Sequence, residues 1–264
     1  MRLISAVSGV QVPAPPPEIK KARLLAGLFL QAAVRPCTWI GVNPQREYMP
    51  SDPEFKTVNT VLFDFGGVLA DEGFRDGLAA IGKLSGLAEQ DVVVKGHELV
   101  VKTGYVTGRA REGRWWDALR SETGVRGTDE ALRLEIIGHF TLRAPMLDLA
   151  DELRSRGLTV GILSDQTNWL DEIDARFDLY GRFDYVFNSY HMGKSKNDPT
   201  HFDDVLKLLN RQGQEVLFVD DNAGHVSRAV DRGWKAILYR NQEGFLRELS
   251  GQLTRKYPES SGKR

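Results

Sequence analysis

Four short polar clusters stand out along this 264-residue chain, and each one closes an apolar run. Asp64 ends Val61-Leu62-Phe63 and is followed by Phe65-Gly66-Gly67; Ser164 and Asp165 end Gly161-Ile162-Leu163. Lys194 and Lys196 follow the run Tyr185 to Phe187, and Asp220-Asp221-Asn222 ends Leu217-Phe218-Val219. Carboxylates gathered in one cleft repel one another unless a cation lies among them, and oxygen-only donors select a hard ion such as Mg²⁺. A lysine and a hydroxyl beside them suit an anion whose charge the metal also offsets. Glycines let backbone N–H groups approach that anion closely. A dianionic phosphate matches this inventory, and the cation lets a carboxylate nucleophile approach it. A single aspartate at a strand end more commonly caps the next turn; the ordered set of four carries the inference.

Strands must carry these clusters. The apolar runs are Val58 to Phe65, Leu158 to Leu163, Tyr185 to Phe187, Val216 to Val219 and Ala236 to Tyr239. Such runs suit strands buried on both faces. Between them, Met146, Leu149, Ala150 and Leu153 share a helix face, as do Phe202, Val205, Leu206 and Leu209. The alternation predicts an α/β fold: a Rossmann-like parallel sheet with helices on both faces. All strand C-termini then open on one crevice, where the four clusters converge. The stretch 71–157 lacks a strand signal and reads as helical over Asp91 to Lys102, Arg114 to Glu122 and Asp129 to Leu142. Thr128 is the expected N-cap of the last helix, with Ala131 where a full capping box would have Glu. An insertion after the first strand sits over the crevice as a lid. The expected organisation is an α/β core over 57–70 and 146–255 and a helical cap over 71–145.

The flanks differ. Residues 1–56 cluster prolines and read as a poorly packed extension, and 256–264 read as a frayed tail. The apolar stretch Ala22 to Val34 is too short to span a bilayer. As a secretory signal it has an overlong, proline-containing leader. Met49 lies just ahead of the first strand and offers an alternative start of translation, which would exclude residues 1–48. Net charge is −1, so nothing draws the chain to nucleic acid or an anionic membrane. Cys37 is the one cysteine, which excludes an internal disulfide and any Cys-rich zinc site and fits a reducing, cytoplasmic setting.

The four clusters, in order, resemble the motifs of the haloacid dehalogenase-like hydrolase superfamily. Phe63-Asp64-Phe65-Gly66-Gly67-Val68-Leu69 is similar to its first motif, Asp-x-Asp-Gly-Thr/Val. Gly161-Ile162-Leu163-Ser164 is similar to the second, Lys196 ahead of the helix His201 to Leu209 to the third, and Leu217-Phe218-Val219-Asp220-Asp221-Asn222 to the fourth. The helical cap between motifs one and two matches as well. The resemblance implies that Asp64 attacks phosphorus to form an aspartyl-phosphate. Ser164 would bond the phosphoryl oxygens and Lys196 would neutralise charge. Lys194 is the alternative lysine, but the spacing to the helix favours Lys196. Mg²⁺ would be held by Asp64, the Gly66 carbonyl and Asp221, with Asp220 a close or water-mediated partner. Gly67, Asp165, Lys194 and Asn222 are the expected substrate-binding residues. The implied activity is Mg²⁺-dependent hydrolysis of a small phosphate ester.

Three positions depart from the family pattern. Gly66 replaces the second motif-one aspartate, which protonates the leaving group and activates water in most family phosphatases. Losing a general acid–base costs about 10² to 10⁴ in rate. Asp165 stands where asparagine is usual and adds a negative charge unless it faces substrate hydroxyls. Asn197 replaces a usual proline. Gly66 also resembles the Asp-x-Gly-Asn-Val of sugar-1-phosphate phosphatases, which suggests a substrate with a good leaving group such as an anomeric hydroxyl. Two other readings remain: a catalytically weak or inactive binding or regulatory member, and a 2-haloacid dehalogenase, whose members place Tyr at the Gly66 position and need no metal.

A P-loop at Gly193-Lys194-Ser195 is excluded by Asn188, which stands where a glycine is required, and by Pro199. The histidines His97, His139, His191, His201 and His225 lack zinc-ligand spacing. Trp115-Trp116 lies among Arg109, Arg111 and Arg114; the expectation is that one indole packs the cap and the other faces the crevice or solvent. Those arginines are candidates to select an anionic substrate. No motif bears on oligomeric state.

Overall fold

A computed structural model describes residues 58–253. The expected extension 1–56, the stretch Ala22 to Val34, Cys37, the alternative start at Met49 and the tail 256–264 lie outside the described residues.

Five strands form one parallel sheet in the order β3-β2-β1-β4-β5. They are β1 (Thr60–Phe63), β2 (Thr159–Ser164), β3 (Tyr185–Asn188), β4 (Val216–Asp220) and β5 (Lys235–Leu238). The period of two explains why the runs are continuously apolar. Val61, Phe63, Val160, Ile162, Leu217 and Val219 belong to one apolar cluster, whereas Leu62, Leu163, Val216 and Phe218 belong to another, so both sheet faces are buried. Phe63 pairs with Ile162 on one side and Val219 on the other, which aligns the strand ends bearing the polar clusters. Sequentially adjacent β1 and β2 lie beside each other, while β4 flanks β1 on its opposite edge. The strand order therefore reverses at β1, the position where α/β sheets open a crevice.

Between β1 and β2 the chain builds α1 (Gly73–Leu84), α2 (Glu89–Lys102), a 3₁₀ turn (Tyr105–Thr107), α3 (Glu112–Thr123), α4 (Asp129–Gly138) and α5 (Ala144–Ser155). The first four helices pack on one another, and α5 packs on β2. Thr128 caps α4 as expected, its Oγ1 accepting from Ala131 N at 3.2 Å. That helix stops at Gly138 rather than continuing to Leu142. The backbone beyond it is committed elsewhere: Asp71 N donates to Thr141 O (2.9 Å) and Arg143 N to Leu69 O (2.8 Å). The insertion thus leaves and rejoins the sheet through a two-stranded neck. The remaining helices are α6 (Trp169–Phe177), α7 (Ser189–Met192), α8 (Thr200–Leu209), α9 (Ala223–Asp231) and α10 (Gln242–Leu253).

The expectation for the paired tryptophans is corrected. Trp115 and Trp116 are both fully buried. Each has a polar partner for its ring N–H: Trp115 donates to Gly96 O (3.2 Å) and Trp116 to Glu112 Oε1 (2.7 Å). Both pack against Trp169, with centroids 5.5 and 5.8 Å away. Adjacent residues lie only about 100° apart around a helix, so Trp115 and Trp116 share one broad buried face with Leu119. Among the described residues no helix is long and apolar enough to cross a membrane.

Candidate active site

Asp64 is the first residue past β1, and its backbone N still donates to Val219 O of β4 at 2.8 Å. The strand pairing therefore fixes where its side chain stands. Asp64 Oδ1 accepts from Phe65 N (2.7 Å) and from Ser164 Oγ at the end of β2 (2.6 Å). Asp64 Oδ2 lies 2.9 Å from Lys196 Nζ. Lys196 is completely buried and also donates to Asp220 Oδ2 at 2.6 Å. The ammonium thus joins the clusters after β1 and β4, and Ser164 ties the β2 cluster in through Asp64. A buried lysine without carboxylate partners is strongly unfavourable, so these contacts hold the charge in place. Burial opposes the Lys196 charge, but Asp220 and Asp64 outweigh it and hold its pKa above the usual lysine range.

Asp165 does something the sequence did not suggest. Its two carboxylate oxygens accept from the backbone N of Lys196 at 2.9 and 3.1 Å. It clamps the loop that delivers the lysine, while also lining the cavity. Asp220 is likewise spent inward. It is fully buried and accepts from Lys196, from Asn222 N (2.7 Å) and lies 3.2 Å from His225 Nδ1. Burial works against its charge, yet Lys196 and His225 prevail and hold its carboxyl below the usual range. Asn222 caps α9, with Oδ1 accepting from Gly224 N at 2.8 Å. Lys194 departs from expectation: it reaches away to Thr200 Oγ1 (2.9 Å) and to Asp204, and does not line the cavity. Arg109, Arg111 and Arg114 do not line it either.

The cavity above Asp64 has a volume of about 350 Å³. Its floor is Asp64, Gly66, Asp165, Gln166, Lys196, Asp221 and Asn222, and the insertion supplies Glu72, Phe74, His97, Val100, Val101 and Val106. Glu72 is the residue that sequence reasoning missed. It sits just ahead of α1, where a side chain would ordinarily cap the helix, but it makes no such bond. Its carboxylate turns into the cavity instead. A Cβ added to Gly66 would lie 3.7 Å from Glu72 Oε1 and 3.5 Å from Gln166 Nε2. Gly67 is more constrained. With φ at +78°, a Cβ there would lie 2.2 Å from Asp221 Oδ2 and 2.6 Å from Glu72 Oε1.

Asp64, Asp221 and Glu72 crowd the same mouth. Burial pushes the Asp64 carboxyl up to about 7, with Lys196 pulling down and Asp220 adding to the rise. Burial, then Glu72 and Asp220, pushes Asp221 up to about 6. Burial and the Asp64 charge raise Glu72 as well. Negative charge at this mouth exceeds the local positive charge, and all the donors are oxygen, so a hard divalent cation fits the donor set. Among the described residues, the ligand atoms that lie within 4.8 Å of one another are those of Asp64 with Asp220 and His225. There, however, the Lys196 ammonium already bridges the two carboxylates.

Known proteins resemble this chain in sequence and in fold. Rat Bifunctional epoxide hydrolase 2 is 32% identical over 127 residues, which is 46% of this chain and 23% of that protein. The chain thus spans less than a quarter of that relative's length. Phosphatase MT3486 of Mycobacterium tuberculosis (strain CDC 1551 / Oshkosh) is 26% identical over 208 residues, 74% of this chain and 94% of that one. The fold is similar to that of a HAD family enzyme from Bacteroides thetaiotaomicron crystallised with magnesium and inorganic phosphate. The TM-score is 0.59 at 19% identity, covering 72% of this chain and 98% of that one. The family model for haloacid dehalogenase-like hydrolase matches residues 58–227, from β1 through the start of α9. The chain belongs to the haloacid dehalogenase-like hydrolases.

Proposed function

We propose that this chain is a Mg²⁺-dependent phosphoric monoester hydrolase that works through an aspartyl-phosphate on Asp64. The observation that carries the reading is the Asp64 carboxylate, held between Ser164 Oγ and Lys196 Nζ at the floor of a cavity otherwise rich in carboxylates. Bound Mg²⁺ would supply charge neutralisation for the phosphoryl group and its nucleophile; Asp64, Asp221 and the Gly66 carbonyl are the residues to hold it, with Glu72 beside them. Asp220 is then assigned to hold Lys196 rather than the metal.

The protein's own residues divide the work. An oxygen of Asp64 attacks phosphorus, a P–O bond forms, and the bond to the ester oxygen breaks. The departing alkoxide takes a proton. Ser164 Oγ–H and the Lys196 ammonium, which now bond Asp64, turn to the phosphoryl oxygens as charge moves onto them. Water then attacks phosphorus, releasing inorganic phosphate and restoring the Asp64 carboxylate. Glu72 reaches across the open side of Gly66 and is the carboxyl placed to exchange those protons, standing in for the aspartate the motif lacks. Asp165 serves as a positioning residue through its grip on Lys196 N.

The test is hydrolysis of p-nitrophenyl phosphate with Mg²⁺ and with EDTA, using Asp64→Asn as the blank. Mg²⁺-dependent turnover that vanishes in the variant is expected, with one phosphoryl group added to Asp64 in acid-quenched protein. Turnover surviving in Asp64→Asn would overturn the reading.

A further inference from the structure

The cavity carries information about what is attached to the phosphate. We propose that the ester bears a compact, uncharged, apolar group, and that Phe74, Val100 and Val101 select it. This rests on the phosphatase reading of the Asp64 site.

Charge comes first. Among the described residues lining the cavity, Asp64, Glu72, Asp165 and Asp221 are acids, and Lys196 is the sole lysine or arginine. Lys196 is already engaged by Asp64 and Asp220. A second phosphate or a carboxylate on the substrate would meet these acids and no free lysine or arginine; the two lining histidines each already have Nδ1 engaged, His225 by Asp220 and His97 by Val93 O. Burying such an anion unpaired is strongly unfavourable. Bisphosphates, nucleoside diphosphates and phosphorylated acids are therefore poor fits.

The polarity of the walls comes next. The amides and hydroxyl among the lining residues (Gln166, Ser195, Asn197, Asn222) all come from the strand-end loops beside the phosphate position. The insertion offers Phe74, Val100, Val101 and Val106, with Glu72 and His97 as its polar members. His97 is partly occupied, its Nδ1 lying 2.9 Å from Val93 O. A polyol pressed on this wall would lose water from its hydroxyls and find few partners. An alkyl or aryl group would find a surface already formed. Phe74 is held by rings on three sides, with centroids 5.0 Å from His97, 5.6 Å from Trp115 and 6.1 Å from Trp169. Val100 is buried and Val101 half exposed, which marks the rim. The volume admits roughly a dozen water-sized groups, enough for a phosphate and a short hydrocarbon chain.

The experiment measures Kd values of n-alkyl phosphonates from methyl to hexyl by calorimetry in Mg²⁺. Their C–P bond is not hydrolysed, so the readout does not depend on turnover. Affinity should rise about four-fold per methylene, or roughly 60-fold from methyl to butyl. In parallel, kcat/KM is compared for hexyl phosphate, a hexose 6-phosphate and a hexose bisphosphate. Hexyl phosphate should exceed both by at least about 100-fold. Val101→Lys, at the exposed rim where folding is tolerant, should narrow the gap for the bisphosphate by about 10-fold. A flat phosphonate series, or a hexose phosphate that matches hexyl phosphate, would overturn the proposal. Absence of any turnover alongside a rising phosphonate series would instead strike the phosphatase reading and leave the apolar selectivity standing.

Discussion

Glu72 Oε1 stands 3.7 Å from the point where a side chain on Gly66 would begin. The two residues are neighbours in space although one closes the motif of the first strand and the other opens the first helix of the insertion. The carboxyl nearest to Gly66 therefore comes from the insertion and not from the strand-end loop. If Glu72 exchanges the protons, Glu72→Gln should lower kcat about 10²-fold for alkyl phosphates and much less for p-nitrophenyl phosphate, whose leaving group needs little acid assistance. Gly66→Asp in the same background should recover alkyl phosphate turnover, since a Cβ there meets nothing closer than 3.5 Å. Equal losses on both substrates, with no recovery, would remove Glu72 from the chemistry.

Lys196 should be indispensable to both folding and turnover. Lys196→Met leaves Asp64 and Asp220 buried without their shared cation. Removing one partner of a buried ion cluster costs about 3 to 5 kcal/mol. Urea unfolding should show that loss, with phosphatase activity falling below detection. A variant as stable as the parent would mean that the ammonium is not what holds the two aspartates together.

The neighbouring glycines should respond oppositely. Gly67→Ala forces a left-handed backbone on a residue with a Cβ and drives that atom to 2.2 Å from Asp221 Oδ2. The backbone strain alone is about 1 to 3 kcal/mol, and Asp221 must move as well. Gly66→Ala meets only ordinary contacts. Thermal melts and Mg²⁺ titrations of the pair should separate them clearly, with weakened Mg²⁺ affinity confined to the Gly67 variant.

Stability should depend on pH in a Mg²⁺-sensitive way. Asp64 and Asp221 both have folded-state pKa values raised from 3.8, to about 7 and about 6. A raised carboxyl favours the folded state while protonated. Its contribution is fully present below pH about 4 and is lost as pH rises through about 6 to 7. In EDTA, Tm should therefore decline across that window, and less so in Asp64→Asn. Mg²⁺ favours the ionised forms, so its stabilising effect should be larger near pH 8 than near pH 5. A Mg²⁺ shift independent of pH would contradict the assignment of these carboxylates.

The strand-end residues were legible because each is defined locally: an apolar run gives the strand, and the first polar residue after it must lie at the crevice. That logic locates Asp64, Ser164 and Asp220–Asp221, and helix spacing separates Lys196 from Lys194. It has no access to how two adjacent acids divide their tasks. Asp220 continues the strand and points into the core, whereas Asp221, one residue on, points to the cavity, a consequence of strand alternation at the very end of β4. Glu72 escaped notice because an acid near a helix start is ordinarily read as a partner of the helix dipole. Its orientation comes from the tertiary position of the neck. For Trp115 and Trp116 the width of the buried face decides: neighbours about 100° apart both fall inside it when the apolar stripe is broad, and the sequence does not show how broad the packing makes it.

The neck has a further consequence. Because Leu69–Asp71 and Thr141–Arg143 lie side by side, the whole insertion could be exchanged for another of different shape at a single seam, leaving the sheet and Asp64 undisturbed. In most such grafts only the choice of guest would change. Here Glu72 lies one residue inside that seam, so a transplanted lid would remove the only carboxyl among the nearest neighbours of Gly66 and leave that glycine facing the amide of Gln166.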